Sequence, residues 1–166
     1  GHVISYLYDA DGIKLRTTHI IGSDTTVTDY CGNVIYENGI PVKLLTEAGY
    51  VTLADSKYHY FVQDHLGNNR VVVDQSGNVE EVNHYYPFGG LLSSSVSNAV
   101  QPYKYNGKEL DRKNGLDWYD YGARMYDAAL GRWHAVDPMS EKYYSWSPYT
   151  YCKNNPVLRI DLDGKD

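Results

Sequence analysis

Apolar and polar residues alternate in short runs from the start of the chain, and a turn-forming glycine interrupts the alternation at intervals of roughly ten to twenty residues. Tyr6 and Tyr8, then Ile13 and Leu15, flank Asp11-Gly12. A period of two on either side of such a turn predicts an antiparallel β hairpin. The same unit returns in "DYCGNVIYENGIPVKLL" around Gly32 and Asn38-Gly39, in "YFVQDHLGNNRVVV" around Gly67 and in "VVVDQSGNVEEV" around Ser76-Gly77. Each unit is too small to bury its own apolar face, so successive hairpins are expected to join edge to edge into one curved sheet whose outer edges invite self-association.

The pattern breaks over "YYPFGGLLSSSVSNAVQPY", where Pro87, paired glycines and a serine-rich stretch replace alternation. Residues 92–101 therefore read as a flexible loop. Turns resume at Asn106-Gly107 and Asn114-Gly115, and "DAALGRW" can hold one helical turn ended by Gly131. A second short helix is expected after Ser140, which can cap it. The chain of 166 residues is thus one mostly β domain: hairpins over 1–91, a loop over 92–101, and a segment over 102–166 with one or two short helices near the C-terminus.

Composition sharpens this picture. Tyrosine occurs 18 times and phenylalanine twice, a bias expected of a sheet with one wet face, where the ring packs and the hydroxyl stays hydrated. A net charge of -6, without a basic stripe, argues against a nucleic-acid partner. No apolar run is long enough to span a bilayer, and the first residues lack the pattern of a secretion signal. Cys31 and Cys152 can pair only if the fold brings them together; two structural thiols are the simpler reading.

Other candidate chemistry is sparse. Asp161, Asp163 and Gly164 open like a calcium loop but lack its closing glutamate, and the six histidines have no ligand spacing, so neither metal nor cofactor is expected. Ser93, Ser94 and Ser95 lack a nucleophile elbow. Trp118, Tyr121, Trp133 and Trp146 head an aromatic set that can build a sugar-stacking face or simply pack a core.

Four stretches carry a resemblance to a known family: "YLYDADGIKLR", then "YFVQDHLGNNRVVVDQSGNVEEVNHYYPFGG", and most specifically "KYNGKELDRKNGLDWYDYGARMYDAALGRWHAVDP" and "YTYCKNNPVLRIDLDG". The chain resembles RHS-repeat (YD-repeat) proteins and their RHS repeat-associated core, found in large secreted or cell-surface polymorphic toxins. The resemblance implies tyrosine-rich hairpins that spiral into a shell around a variable C-terminal region, with the core segment plugging one end. A chain of this length supplies an arc and a plug rather than a closed container. Its partner would be the C-terminal variable or toxin region of a longer parent.

The resemblance further implies an intramolecular aspartyl protease in the parent, in which Arg124, Asp137 and Asp161 match the arginine and the two acids. Two carboxylates held together can divide the roles of acid and base. Leu162 stands where the family has proline, and "SEKYYSWSP" replaces a glycine-rich stretch. Asp-Pro and Asp-x-Asp-Gly are also ordinary turn formers. The chain itself is expected to be structural rather than catalytic, with cell-surface carbohydrate binding through Trp118, Tyr121, Trp133 and Trp146 as the other reading.

Overall fold

A computed structural model describes residues 1–93, 95–97 and 101–165. Ten strands run β1 (His2–Tyr8), β2 (Lys14–Ile21), β3 (Asp24–Cys31), β4 (Val34–Glu37), β5 (Ile40–Thr46), β6 (Gly49–Thr52), β7 (Lys57–Gln63), β8 (Asn69–Asp74), β9 (Val79–Val82) and β10 (Val96–Ser97). Their order in the sheet is their order in the chain. A second antiparallel sheet follows with β11 (Glu109–Asp111), β12 (Trp118–Asp120), β13 (Met125–Asp127) and β14 (Arg132–Trp133), again in chain order.

The chain forms two compact units, Gly1–Phe61 with Val72–Val79, and Val62–Val71 with Glu80–Asp166. In the first, Thr17, His19, Ile35, Tyr50, Val51 and His59 are buried, and because Tyr50 and Val51 are neighbours on β6, both faces of that strand are covered. Tyr50 and His59 face each other across β6 and β7 with rings stacked 4.4 Å apart. Position 49 has room only for glycine, because a Cβ there would lie 2.0 Å from the His59 carbonyl oxygen.

Three of the expected turns share one construction. In Asp9–Ile13, Asp64–Asn68 and Asp74–Asn78, the first aspartate's Oδ1 accepts the N–H groups two and four residues on. Its backbone N–H donates to the fifth residue's carbonyl, and the fourth residue is a glycine with positive φ. These three turns are therefore Asp-x-x-Gly-x loops with a local side-chain clasp, whereas Gly32-Asn33 and Asn38-Gly39 are two-residue turns between the pairs Cys31 with Val34 and Glu37 with Ile40.

The second unit holds the main core: Tyr105, Leu110, Tyr119, Tyr121, Tyr126, Trp133, Tyr151 and Cys152, with Tyr85, Phe88, Leu91 and Ala128 packed against it. The wet-face account of the tyrosines does not hold here. Tyr105 donates its hydroxyl to the Pro87 carbonyl (2.8 Å), Tyr126 to that of Phe88 (2.8 Å) and Tyr119 to that of Gly89 (3.0 Å). Phenylalanine would fill the same space but take these hydroxyl donors from the carbonyls of the "YPFGG" turn, of which the bond to Gly89 is buried and those to Pro87 and Phe88 are partly so.

No α-helix occurs among the described residues; the helical pieces are single 3-10 turns at Tyr105–Gly107, Lys113–Gly115, Ser140–Lys142 and Cys152–Asn154. "DAALGRW" is instead the turn of the β13–β14 hairpin, held by Asp127 Oδ1 accepting from Ala129 and Leu130 and by the pairing of Tyr126 with Trp133. Ser140 opens its short turn without capping it. Within the expected 92–101 loop, Val96 and Ser97 pair with Val82 and Glu81; positions 94 and 98–100 lie outside the described residues. Cys31 is exposed and Cys152 buried, both as free thiols.

Candidate functional site

The second unit brings Arg124, Asp137 and Asp161 together. Arg124 sits in the turn between β12 and β13, where its carbonyl accepts from the Tyr121 N–H. Its Nη2 lies 3.4 Å from Asp137 Oδ2 and 3.5 Å from Asp161 Oδ2. The Arg124 and Asp161 side chains are fully buried and that of Asp137 nearly so.

The excursion between the two acids folds back as the site requires. Asp137 N–H donates to the Pro148 carbonyl and Trp133 N–H to that of Tyr149. Both acids also build turns. Asp161 Oδ1 accepts the N–H groups of Asp163, Gly164 and Lys165 at 2.7 to 3.2 Å, which is the Asp-x-x-Gly clasp once more. Asp137 Oδ1 accepts from Met139 at 2.7 Å. Each carboxylate thus divides its work, with one oxygen shaping the backbone and the other meeting the guanidinium.

Arg124 does more than pair charge. Its Nε donates to the Gly164 carbonyl (2.6 Å) and its Nη1 to the Pro148 carbonyl (3.1 Å), while the guanidinium lies over the Trp133 ring at 4.2 Å. A planar fork satisfies these partners simultaneously, which a point-charge ammonium cannot. The chain returning at Gly164 presses so close that a Cβ there would lie 3.0 Å from the Arg124 nitrogen, and its φ of +78° favours glycine independently.

Sequence reasoning missed Lys108. Its Nζ donates to the Leu162 carbonyl at 2.6 Å and lies 5.1 Å from the Tyr121 ring centre. Burial pulls its pKa below the ordinary lysine value, against the attraction of Asp161. The only signal available was its place in "NGKELD", which gives no hint of a partner so far along the chain.

The four aromatic residues considered for sugar stacking do not share an exposed face. Tyr121 and Trp133 are interior, meeting edge to face at 5.0 Å. Trp118 is half-buried with its ring 3.7 Å from that of His134. Trp146 is exposed and lines a groove beside Asp137 with Tyr143, Pro148 and Lys153. Among the described residues, no three His, Cys, Asp or Glu side chains converge as metal ligands. Among the described residues no helix is long and apolar enough to cross a membrane.

Comparison with known proteins agrees with this architecture. The Teneurin YD-shell family model matches residues 45–157. Salivary gland surface protein 1 of Aedes aegypti is 41% identical over 92% of the chain, which spans 5% of that protein. Toxin subunit YenC1 of Yersinia entomophaga is 29% identical over 92% of the chain and 16% of its own length. The tRNA nuclease WapA of Bacillus subtilis is 28% identical over 96% of the chain and 7% of its own length.

Among solved structures, a TcdB2-TccC3 crystal structure matches with a TM-score of 0.78 at 22% identity, over 97% of this chain and 9% of that one. A Photorhabdus luminescens Tc holotoxin pore matches with a TM-score of 0.79 at 23% identity, over 98% and 9%. The chain therefore spans a small fraction of each of these proteins. Hairpins in chain order, the tyrosine-lined core and the family match together make this chain a member of the Teneurin YD-shell family, a segment of an RHS-type β shell.

Proposed function

We propose that this chain is the closing segment of a secreted or cell-surface shell protein, and that it holds or encloses the C-terminal region of a longer parent. The observation that carries this reading is the Arg124 node. One buried guanidinium contacts Asp137, Asp161 and the carbonyls of Pro148 and Gly164. It thereby fixes where the backbone runs just before position 166. Toxin subunits and a nuclease among the relatives make a toxic C-terminal region the natural cargo class.

Limited proteolysis of a parent that continues past Asp166 tests this. The C-terminal region should resist cleavage until the shell unfolds, and Arg124→Ala should expose it at an earlier stage. A C-terminal region digested as fast in the intact protein as in isolation removes the proposal.

A second reading, self-cleavage by Asp137 and Asp161 in the parent, is favoured by their meeting at one guanidinium nitrogen. One carboxylic acid polarises the scissile carbonyl while the other carboxylate activates water. Intact mass of the extended protein, beside Asp137→Asn and Asp161→Asn, decides: cleavage in the wild type and not in the variants is expected. An uncut wild type ends this reading and leaves the shell role standing.

A further inference from the structure

A second buried polar centre lies in the same unit, away from Arg124. Glu81 Oε1 receives three nitrogens: Lys104 Nζ at 2.6 Å, Gln101 Nε2 at 2.9 Å, and Asn83 Nδ2 in a shorter contact. The Lys104 and Glu81 side chains are 3% and 4% exposed, and Asn83 is wholly buried. The cluster is incompletely satisfied. Among the described residues Asn83 Oδ1 and Gln101 Oε1 find no donor, and no acceptor is aligned for a hydrogen bond from Lys104 Nζ, although Glu81 lies close to it.

A buried lysine, a buried amide and a carboxylate touching both are the components of amide exchange. We propose that Lys104 and Asn83 join in an intramolecular isopeptide bond, with Glu81 carrying the proton between them. Asn83 is the acceptor because its Nδ2 also donates to the Asn69 carbonyl at 3.0 Å, which anchors the amide on two sides. Burial lowers the Lys104 pKa, against the pull of Glu81, and so favours the neutral amine that attack requires.

In the reaction Lys104 Nζ passes a proton to Glu81, and its lone pair attacks Asn83 Cγ. The new Nζ–Cγ bond forms as the Cγ–Nδ2 bond breaks. Glu81 returns the proton to the departing nitrogen, which leaves as ammonia and takes up the second proton released by Nζ. Glu81 ends as the carboxylate it began as, nothing is oxidised or reduced, and no co-reactant is needed. The product ties position 83 to position 104 by a link that thiol reductants cannot open.

Denaturing intact-mass analysis of the 166-residue chain tests this directly. The expected mass is that of the sequence less one ammonia, with a branched peptide joining Asn83 to Lys104 after digestion. Asn-Gly pairs such as Asn38-Gly39 also lose ammonia as succinimides, but hydroxylamine cleaves those and spares an isopeptide. Lys104→Arg, which keeps charge and bulk, should restore the full mass, as should Glu81→Gln. The full sequence mass in folded wild-type protein, or a deficit without the branched peptide, overturns the proposal, and this reading needs no variant to fold.

Discussion

Tyr121 and Tyr151 donate their hydroxyls to the same atom, Asn106 Oδ1, at 2.6 and 2.7 Å. Asn106 in turn donates its amide Nδ2 to the Leu66 carbonyl at 2.9 Å and its backbone N–H to Asn68 Oδ1 at 2.8 Å, at a φ of +50°. One side chain therefore joins the aromatic core to the Asp64 turn.

Asn106→Ala should be among the most destabilising single changes in this unit. It removes the shared acceptor of two buried hydroxyls and puts alanine in a left-handed conformation, at a combined cost of about 3 kcal/mol. Urea unfolding followed by tryptophan fluorescence measures this. A loss no larger than that of an average surface substitution contradicts the proposed linchpin role.

Arg124→Met should cost more than Arg124→Lys. Methionine leaves Asp137 and Asp161 buried beside each other without a countercharge, about 3 to 5 kcal/mol. Lysine keeps a charge but cannot serve both acids and two carbonyls at once. Equal stability of the two variants in thermal melts would show that the fork geometry contributes nothing.

Alkali should unfold the second unit through its tyrosines. Burial raises the pKa of Tyr105 to about 12, and Tyr85, Tyr119, Tyr121, Tyr126 and Tyr151 are raised as well, burial being the first cause for each. A raised pKa means the unfolded chain loses its protons first. This contribution to stability is complete below pH 10, the ordinary tyrosine value, and disappears as the pH climbs to about 12 and beyond. Lys104 and Lys108, lowered by burial, act in the opposite sense but are fewer. Tyrosinate absorbance rising in step with loss of circular dichroism is expected; ionisation well before unfolding would contradict it.

The alternation and its glycine turns made β1 to β5 and β7 to β9 legible, because each hairpin is specified by neighbours in the chain, while β6 lay outside the stretches that the pattern singled out. The clasp was not legible from the glycine alone, since the aspartate three residues earlier supplies the acceptor. "DAALGRW" misled because alanine and leucine favour helix locally, whereas pairing of Tyr126 with Trp133 decides the outcome. Motif resemblance named Arg124, Asp137 and Asp161, but their convergence depends on the return of the chain at Pro148. Glu81 and Lys104 stayed hidden because polar residues in or near strands read as a solvated face.

Self-association is expected of the 166-residue chain, because β1 stands first in the strand order of its sheet and exposes Val3 and Leu7. Light scattering should report dimers or larger species at high concentration, and Ile4→Pro, which removes an N–H that faces away from β2 in this register, should reduce them. A monomer throughout the concentration range removes this expectation.

Because within each sheet every strand lies beside its predecessor in the chain, no strand needs to wait for a distant partner. A polypeptide threading end-first out of a ribosome or a membrane pore can add one ribbon at a time to those already laid down, each closure spanning only a short loop. Such an architecture is suited to very long proteins, since its assembly time grows with the number of ribbons rather than with the search for remote contacts.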